Sequence, residues 1–197
     1  ALTEVNASQN INIPNVKNID FLVIKKIDNK VVIQMTIIRN GCNYGSKSYF
    51  PNPGRNGTDV NENEIMQAFI CQFYEKNIPA ESILVNEYPK DKSLIEEFLR
   101  TKHAFKVEIE SPQRGKKLEL INSTLKNAEE NLNRKIYEKS SNQKNLLKLQ
   151  DVFHFRKKIK KLEVYDNSHH QGKSPVGAMI AFNEDGFLKS LYRKYNI

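Results

Sequence analysis

The dipeptide Asn40-Gly41 restricts the fold of this chain more than any other feature, because it joins two β-prone runs, Val31 to Arg39 and Tyr44 to Phe50. Asn and Gly both accept the positive φ of a tight hairpin turn, so the flanking strands must lie antiparallel. Asp28-Asn29 supplies similar turn chemistry between Ile19 to Lys26 and Val31 to Arg39. A three-stranded antiparallel meander is expected. Ahead of it, Ala1 to Lys17 is polar, Asn-rich and broken by Pro14, and reads as a linker.

Pro51, Pro53, Gly54 and Gly57 end the meander. Between Asn61 and Glu75, residues Ile65, Met66, Phe69, Ile70, Phe73 and Tyr74 recur at helical spacing and form a core-facing stripe. A short strand from Ile83 to Val85 follows, then a helix from Lys92 to Arg100 and a strand from Ala104 to Glu110. This order, β-β-β-α-β-α-β, defines an α/β fold with a mixed sheet, the arrangement of a ribonuclease H-like domain. From Gly115 a long basic helix is expected, with Leu118, Ile121, Leu125, Ala128 and Leu132 on one face, an interruption near Ser140-Ser141-Asn142 and a resumption through Leu146 to Val152.

Composition narrows the function classes. The chain has 197 residues, 39% of them hydrophobic, which suffices for one large core or two small ones. No run approaches the roughly 18 to 20 apolar residues of a membrane span. Cys42 and Cys71 lie outside any Cys-x-x-Cys spacing and read as reduced thiols in a cytoplasmic protein. The net charge of +8 is regional: between Thr101 and Lys161 there are 16 Lys and Arg against 7 Asp and Glu, out of 31 and 23 in the whole chain. Such a stretch suits a phosphate backbone, with Arg114, Lys116, Lys117, Arg156, Lys157, Lys158, Lys160, Lys161 and Arg193 as the candidate contacts, and it equally suits a solvated helix face.

The C-terminal part repeats the meander signal. In Leu162-Glu-Val-Tyr-Asp166 the alternation places Asp166 where an apolar core residue would continue the strand. A carboxylate there is a candidate metal ligand for phosphodiester hydrolysis, although Asp166-Asn-Ser is also turn chemistry. Laying Met35-Thr-Ile-Ile on Met179-Ile-Ala-Phe sets Asp166 over Leu22, so the first copy is expected to lack an acid at this position. His169 and His170 face opposite ways on a strand, so at most one points toward Asp166.

Several of these runs resemble the UvrC family, the C subunit of the bacterial excinuclease of nucleotide excision repair. They are Tyr165-Asp-Asn-Ser-His169 with Gln171-Gly172, Val176-Gly-Ala-Met, Tyr192-Arg-Lys-Tyr-Asn-Ile197, and upstream Tyr44 to Phe50, Phe69 to Tyr74 and Pro112 to Lys116. The resemblance spans about Ala1 to Ile197. It implies a linker at 1–17 that is a remnant of a UvrB-binding hairpin, a metal-free ribonuclease H-like domain at 18–140, and a basic helical connector at 141–160. It further implies that 161–197 is the first meander of the nuclease domain, with the other metal ligands beyond Ile197. Asp166 is then the one catalytic, metal-binding residue carried by this stretch, and His169 an orienting neighbour. In the parent, Mg²⁺ or Mn²⁺ serves the 5′ incision of damaged double-stranded DNA bound by UvrB. This stretch alone is expected to hold no metal stably, to bind DNA without cutting it, and to self-associate through its incomplete sheet. The alternative is a non-catalytic scaffold that holds protein partners.

Overall fold

The computed structural model describes residues 18–51, 61–170 and 173–197, with backbone alone for 169, 170, 173 and 174. The linker expected over 1–17 lies outside the described residues. The chain divides into two compact units, Ala1–Leu132 and Asn133–Ile197.

The first unit opens with the expected meander, β1 (Ile19–Ile27), β2 (Lys30–Arg39) and β3 (Cys42–Tyr49). Asn40 and Gly41 sit at φ 51° and 73°, closing the turn between the paired residues Arg39 and Cys42. Next come α1 (Glu62–Tyr74), β4 (Ser82–Val85), α2 (Lys92–His103), β5 (Glu108–Glu110) and α3 (Gly115–Val152). The sheet order is β3-β2-β1-β4-β5, with β4 parallel to β1 and β5 parallel to β4. This is the ribonuclease H-like arrangement expected from the element order. One sheet face carries Leu22, Ile24, Ile33 and Met35, which pack with Met66, Ile70 and Tyr74 of α1 and Ile95 and Leu99 of α2. The opposite face meets the first part of α3, whose Ile121, Ala128 and Leu132 are buried. There the Asn131 amide donates to buried Gln34 Oε1 at 3.1 Å, and Lys25 pairs with Glu129 at 3.6 Å.

Two expectations about these elements are corrected. The strand expected from Ala104 begins at Glu108, because Ala104 adopts φ 60° and donates its N–H to the Arg100 carbonyl, which ends α2. The helix from Gly115 is not interrupted at Ser140-Ser141-Asn142. It runs through Val152, and in the second unit Asn142 and Gln143 donate to the backbone and carboxylate of Glu184. The weak helix propensity of Ser and Asn is overridden by such partners.

The second unit holds β6 (Leu162–His170), β7 (Lys173–Asn183), β8 (Gly186–Phe187) and β9 (Arg193–Asn196). β7 pairs antiparallel with β6, β8 and β9. The short β8 and β9 both pair with β7, separated by a 3₁₀ turn at Lys189–Leu191.

The two hairpins differ by one residue. β1 and β2 keep one register from Ile19↔Ile38 to Ile27↔Lys30, whereas β6 and β7 shift between Ser168↔Val176 and His170↔Lys173, where one residue of β6 faces two of β7. That is a bulge. Counted outward from the turn along the first strand of each hairpin, Asp166 corresponds to Val23, because the bulge takes up the extra residue on β7. The alignment on Leu22 is thus corrected by one position, which moves the equivalent residue to the other sheet face. An apolar residue stands at either position.

Candidate functional site

Strand β6 carries Asp166 in a row with Ala178 of β7 and Lys194 of β9, side chains on a common face. The expectation that this face is core-facing is corrected, since Val164 is 48% exposed and Asp166 is exposed as well. Within this unit no described element covers it. Asp166 makes no hydrogen bond or ion pair among the described residues. The nearest acid in sequence, Glu163, points to the opposite face by strand alternation. It is engaged there, bonded by Lys161 at 2.6 Å and by the Tyr165 hydroxyl at 2.9 Å, which together hold its carboxyl below the usual range.

These donors do not fit a two-metal centre, which needs several carboxylates around two cations. Among the described residues no three His, Cys, Asp or Glu side chains come together. The backbone of His169 belongs to β6, and its side chain lies outside the described atoms, as does that of His170.

The expected basic contacts divide between the units. Arg114, Lys116 and Lys117 belong to the first, where Lys117 pairs with Glu110 at 2.9 Å. In the second, Lys158 reaches Glu184 at 3.5 Å and Lys161 reaches Glu163. The Arg193 guanidinium donates to the carbonyls of Ser190 and Tyr192, closing its own turn. Arg156, Lys157 and Lys160 are exposed and have no carboxylate partner among the described residues.

One acid went unread in the sequence. Asp20, in β1, is fully buried and accepts two bonds from Arg39, one from the Tyr74 hydroxyl at 2.8 Å and one from Ala80 N–H at 3.0 Å. Both oxygens are bonded by protein donors, Oδ1 by one and Oδ2 by three, so this carboxylate is a structural anion. Burial first, and Asp20 second, raise the Tyr74 hydroxyl well above its ordinary pKa. The pairing was visible in principle: the Asp28-Asn29 turn sets Ile19 opposite Ile38, which leaves Arg39 diagonal to Asp20.

Two family models match this chain, the UvrC ribonuclease H-like domain over residues 18–135 and the UvrC RNase H endonuclease domain over residues 150–197. The chain belongs to the UvrC ribonuclease H-like family. Its full length aligns with UvrABC system protein C of Hyphomonas neptunium at 38% identity, covering 32% of that protein. The corresponding proteins of Jannaschia sp. and Brucella abortus align over the full chain at 39% and 37%, covering 31% and 32% of their lengths. The chain thus spans about a third of the curated relatives it matches.

Proposed function

We propose that this chain is the central and early-nuclease part of an excinuclease subunit that acts in nucleotide excision repair in the bacterial cytoplasm. The observation that carries this reading is the full-length similarity to proteins named UvrABC system protein C, with the Tyr165-Asp-Asn-Ser-His169 run on a strand that opens a second meander. In the complete protein, Asp166 would be one of several ligands to Mg²⁺ or Mn²⁺ for the 5′ incision of damaged duplex bound by UvrB, with His169 orienting it. The remaining ligands would come from outside the described residues, so this stretch by itself binds DNA and does not cut it. The basic residues around 156–161 would meet phosphates, and the first unit would serve as a metal-free support.

The test is nicking of a damaged duplex by this chain and by Asp166→Ala, each with Mg²⁺ or Mn²⁺, beside a binding titration in rising salt. Both proteins are expected to be inert, with wild-type affinity falling steeply as salt rises, because phosphate contacts release counterions. Nicking by wild type alone would reveal a complete set of ligands and overturn the incomplete-site reading. Affinity indifferent to salt would remove the phosphate contacts.

A further inference from the structure

The end of α3 presents two aromatic rings to solvent where a helix terminus ordinarily hides them. Phe153 is 61% exposed and Phe155 51%. Their rings lie nearly parallel, 13° apart with centroids 5.7 Å apart, so they stack on each other. The backbone fixes this pair. His154 takes φ 52°, Phe155 N–H donates to the Gln150 carbonyl and His154 N–H to that of Asp151, the two bonds of a Schellman cap. The left-handed residue between them brings the two phenylalanines to the same side.

The chain that leaves this cap is Arg156-Lys-Lys-Ile-Lys-Lys161, with no acid between Val152 and Leu162. Lys158 and Lys161 are tied to Glu184 and Glu163. Arg156, Lys157 and Lys160, which follow the rings within five residues of Phe155, are exposed and without a carboxylate partner among the described residues. A preorganised, exposed ring pair followed directly in the chain by free cations matches one ligand chemistry: an unpaired nucleobase on an outer ring face with its phosphates on the cations. A base within a duplex is already stacked on both sides and cannot use such a surface. An apolar protein partner would leave the cations without counterions.

We infer that Phe153 and Phe155 form a stacking platform for an unpaired or extruded base of single-stranded DNA. The inference rests on the DNA-binding reading above and adds to it the kind of strand that is held. The experiment uses the 197-residue chain with a single-stranded oligonucleotide carrying 2-aminopurine, whose emission is quenched by stacking, and with a duplex of the same sequence. The double variant Phe153→Ala/Phe155→Ala is expected to weaken single-strand binding by about tenfold to a hundredfold. It should abolish the quenching while leaving duplex affinity and the salt slope unchanged. Phe153→Tyr/Phe155→Tyr keeps both rings and should keep both binding and quenching, which separates stacking from a folding defect. Equal weakening of duplex and single strand, or quenching that survives the alanines, overturns the platform. So does an alanine pair that changes only the sedimentation profile, since the rings are then a protein contact. Wild type that binds neither nucleic acid would sink the DNA-binding reading itself, whereas salt-dependent binding without quenching sinks the platform alone.

Discussion

The two sheets begin with the same meander and treat a strand carboxylate in opposite ways. In the first, β1 is covered on both faces, and Asp20 is buried under Arg39, Tyr74 and Ala80. In the second, Asp166 is exposed, with Ala178 beside it and no donor satisfying it among the described residues. A fully buried carboxylate with both oxygens bonded by protein donors holds a fold together and is closed to a ligand. A carboxylate without partners contributes little to the fold and keeps its lone pairs for chemistry. The difference between the sheets is therefore a difference in what surrounds the acid, and mutation can read it directly.

The largest effect is expected at Asp20. Asp20→Ala leaves the Tyr74 hydroxyl, the Ala80 N–H and a largely shielded Arg39 without their acceptor, and breaking a buried pair from one side destabilises by about 3 to 5 kcal/mol. Urea melts of wild type and variant measure this. A loss below about 1 kcal/mol would mean that water replaces the carboxylate, and the contrast with Asp166 would collapse. Asn in place of Asp20 keeps the shape but loses the charge, and should fall between the two.

Tyr74→Phe sharpens the same site. It removes one of four bonds to Asp20 and leaves the ring packed against Phe73, so a loss of about 1 to 2 kcal/mol is expected. The wild-type hydroxyl also makes a pH prediction. Its folded pKa is raised above the ordinary value of 10.0, so the folded state holds this proton more tightly than the unfolded state does. Stability from this group is complete below pH 10 and declines as pH rises beyond it. In an absorbance titration of tyrosinate, one tyrosine should ionise only with unfolding, and Tyr74→Phe should remove that step. A folded protein in which all tyrosines titrate near pH 10 would contradict the burial.

The same contrast explains what was legible in the sequence. The first sheet could be read because every signal there is local: Asn40-Gly41 fixes a turn, Ile65 to Tyr74 fixes a helical face, and the order of elements then leaves few ways to pair. Asp20 escaped because its meaning lies in three donors from different elements, and nothing within a few residues of it announces them. Asp166 was found through the motif around it, but its surroundings were misjudged. Alternation with Leu162 and Val164 shows which residues share a face and not whether anything covers that face. The alignment on Leu22 slipped for a related reason, since the extra residue of β7 leaves no trace in composition or period. The Ser140-Ser141-Asn142 interruption failed because helix propensity is a weak local term beside bonds to Glu184.

Glu184 gives a smaller effect in the second unit. It accepts from Gln143 at 2.8 Å and from Lys139 at 3.0 Å, with Lys158 nearby, and these hold its carboxyl down at about 2 from an ordinary 4.5. A folded-state pKa below the unfolded value means stability that is present above pH 4.5 and lost as pH falls through that value toward 2. Glu184→Gln should remove this dependence and destabilise by at most about 1 kcal/mol, because solvent screens a pair this open. Melts at pH 7, pH 3 and pH 2 test it: the variant and wild type should differ at pH 7, less at pH 3, and converge as pH reaches about 2. A gap that persists at low pH would assign the contribution to shape rather than charge.

The smallest effect is expected at Asp166, where it carries the most information. An exposed carboxylate with no partner among the described residues should tolerate Asp166→Ala within about 0.5 kcal/mol. Asp166→Lys places a cation in the same cross-strand row as Lys194 and tests whether the site is electrostatically open. A like-charge arrangement across an exposed sheet should lower stability by no more than a few tenths of a kcal/mol. If Asp166→Ala instead destabilises by 2 kcal/mol or more in a urea melt, the carboxylate is part of the packing, as Asp20 is. Its exposure would then say nothing about chemistry. A neutral outcome beside a severe one at Asp20 would show one meander serving two ends, its acid spent on the fold in the first sheet and left free in the second.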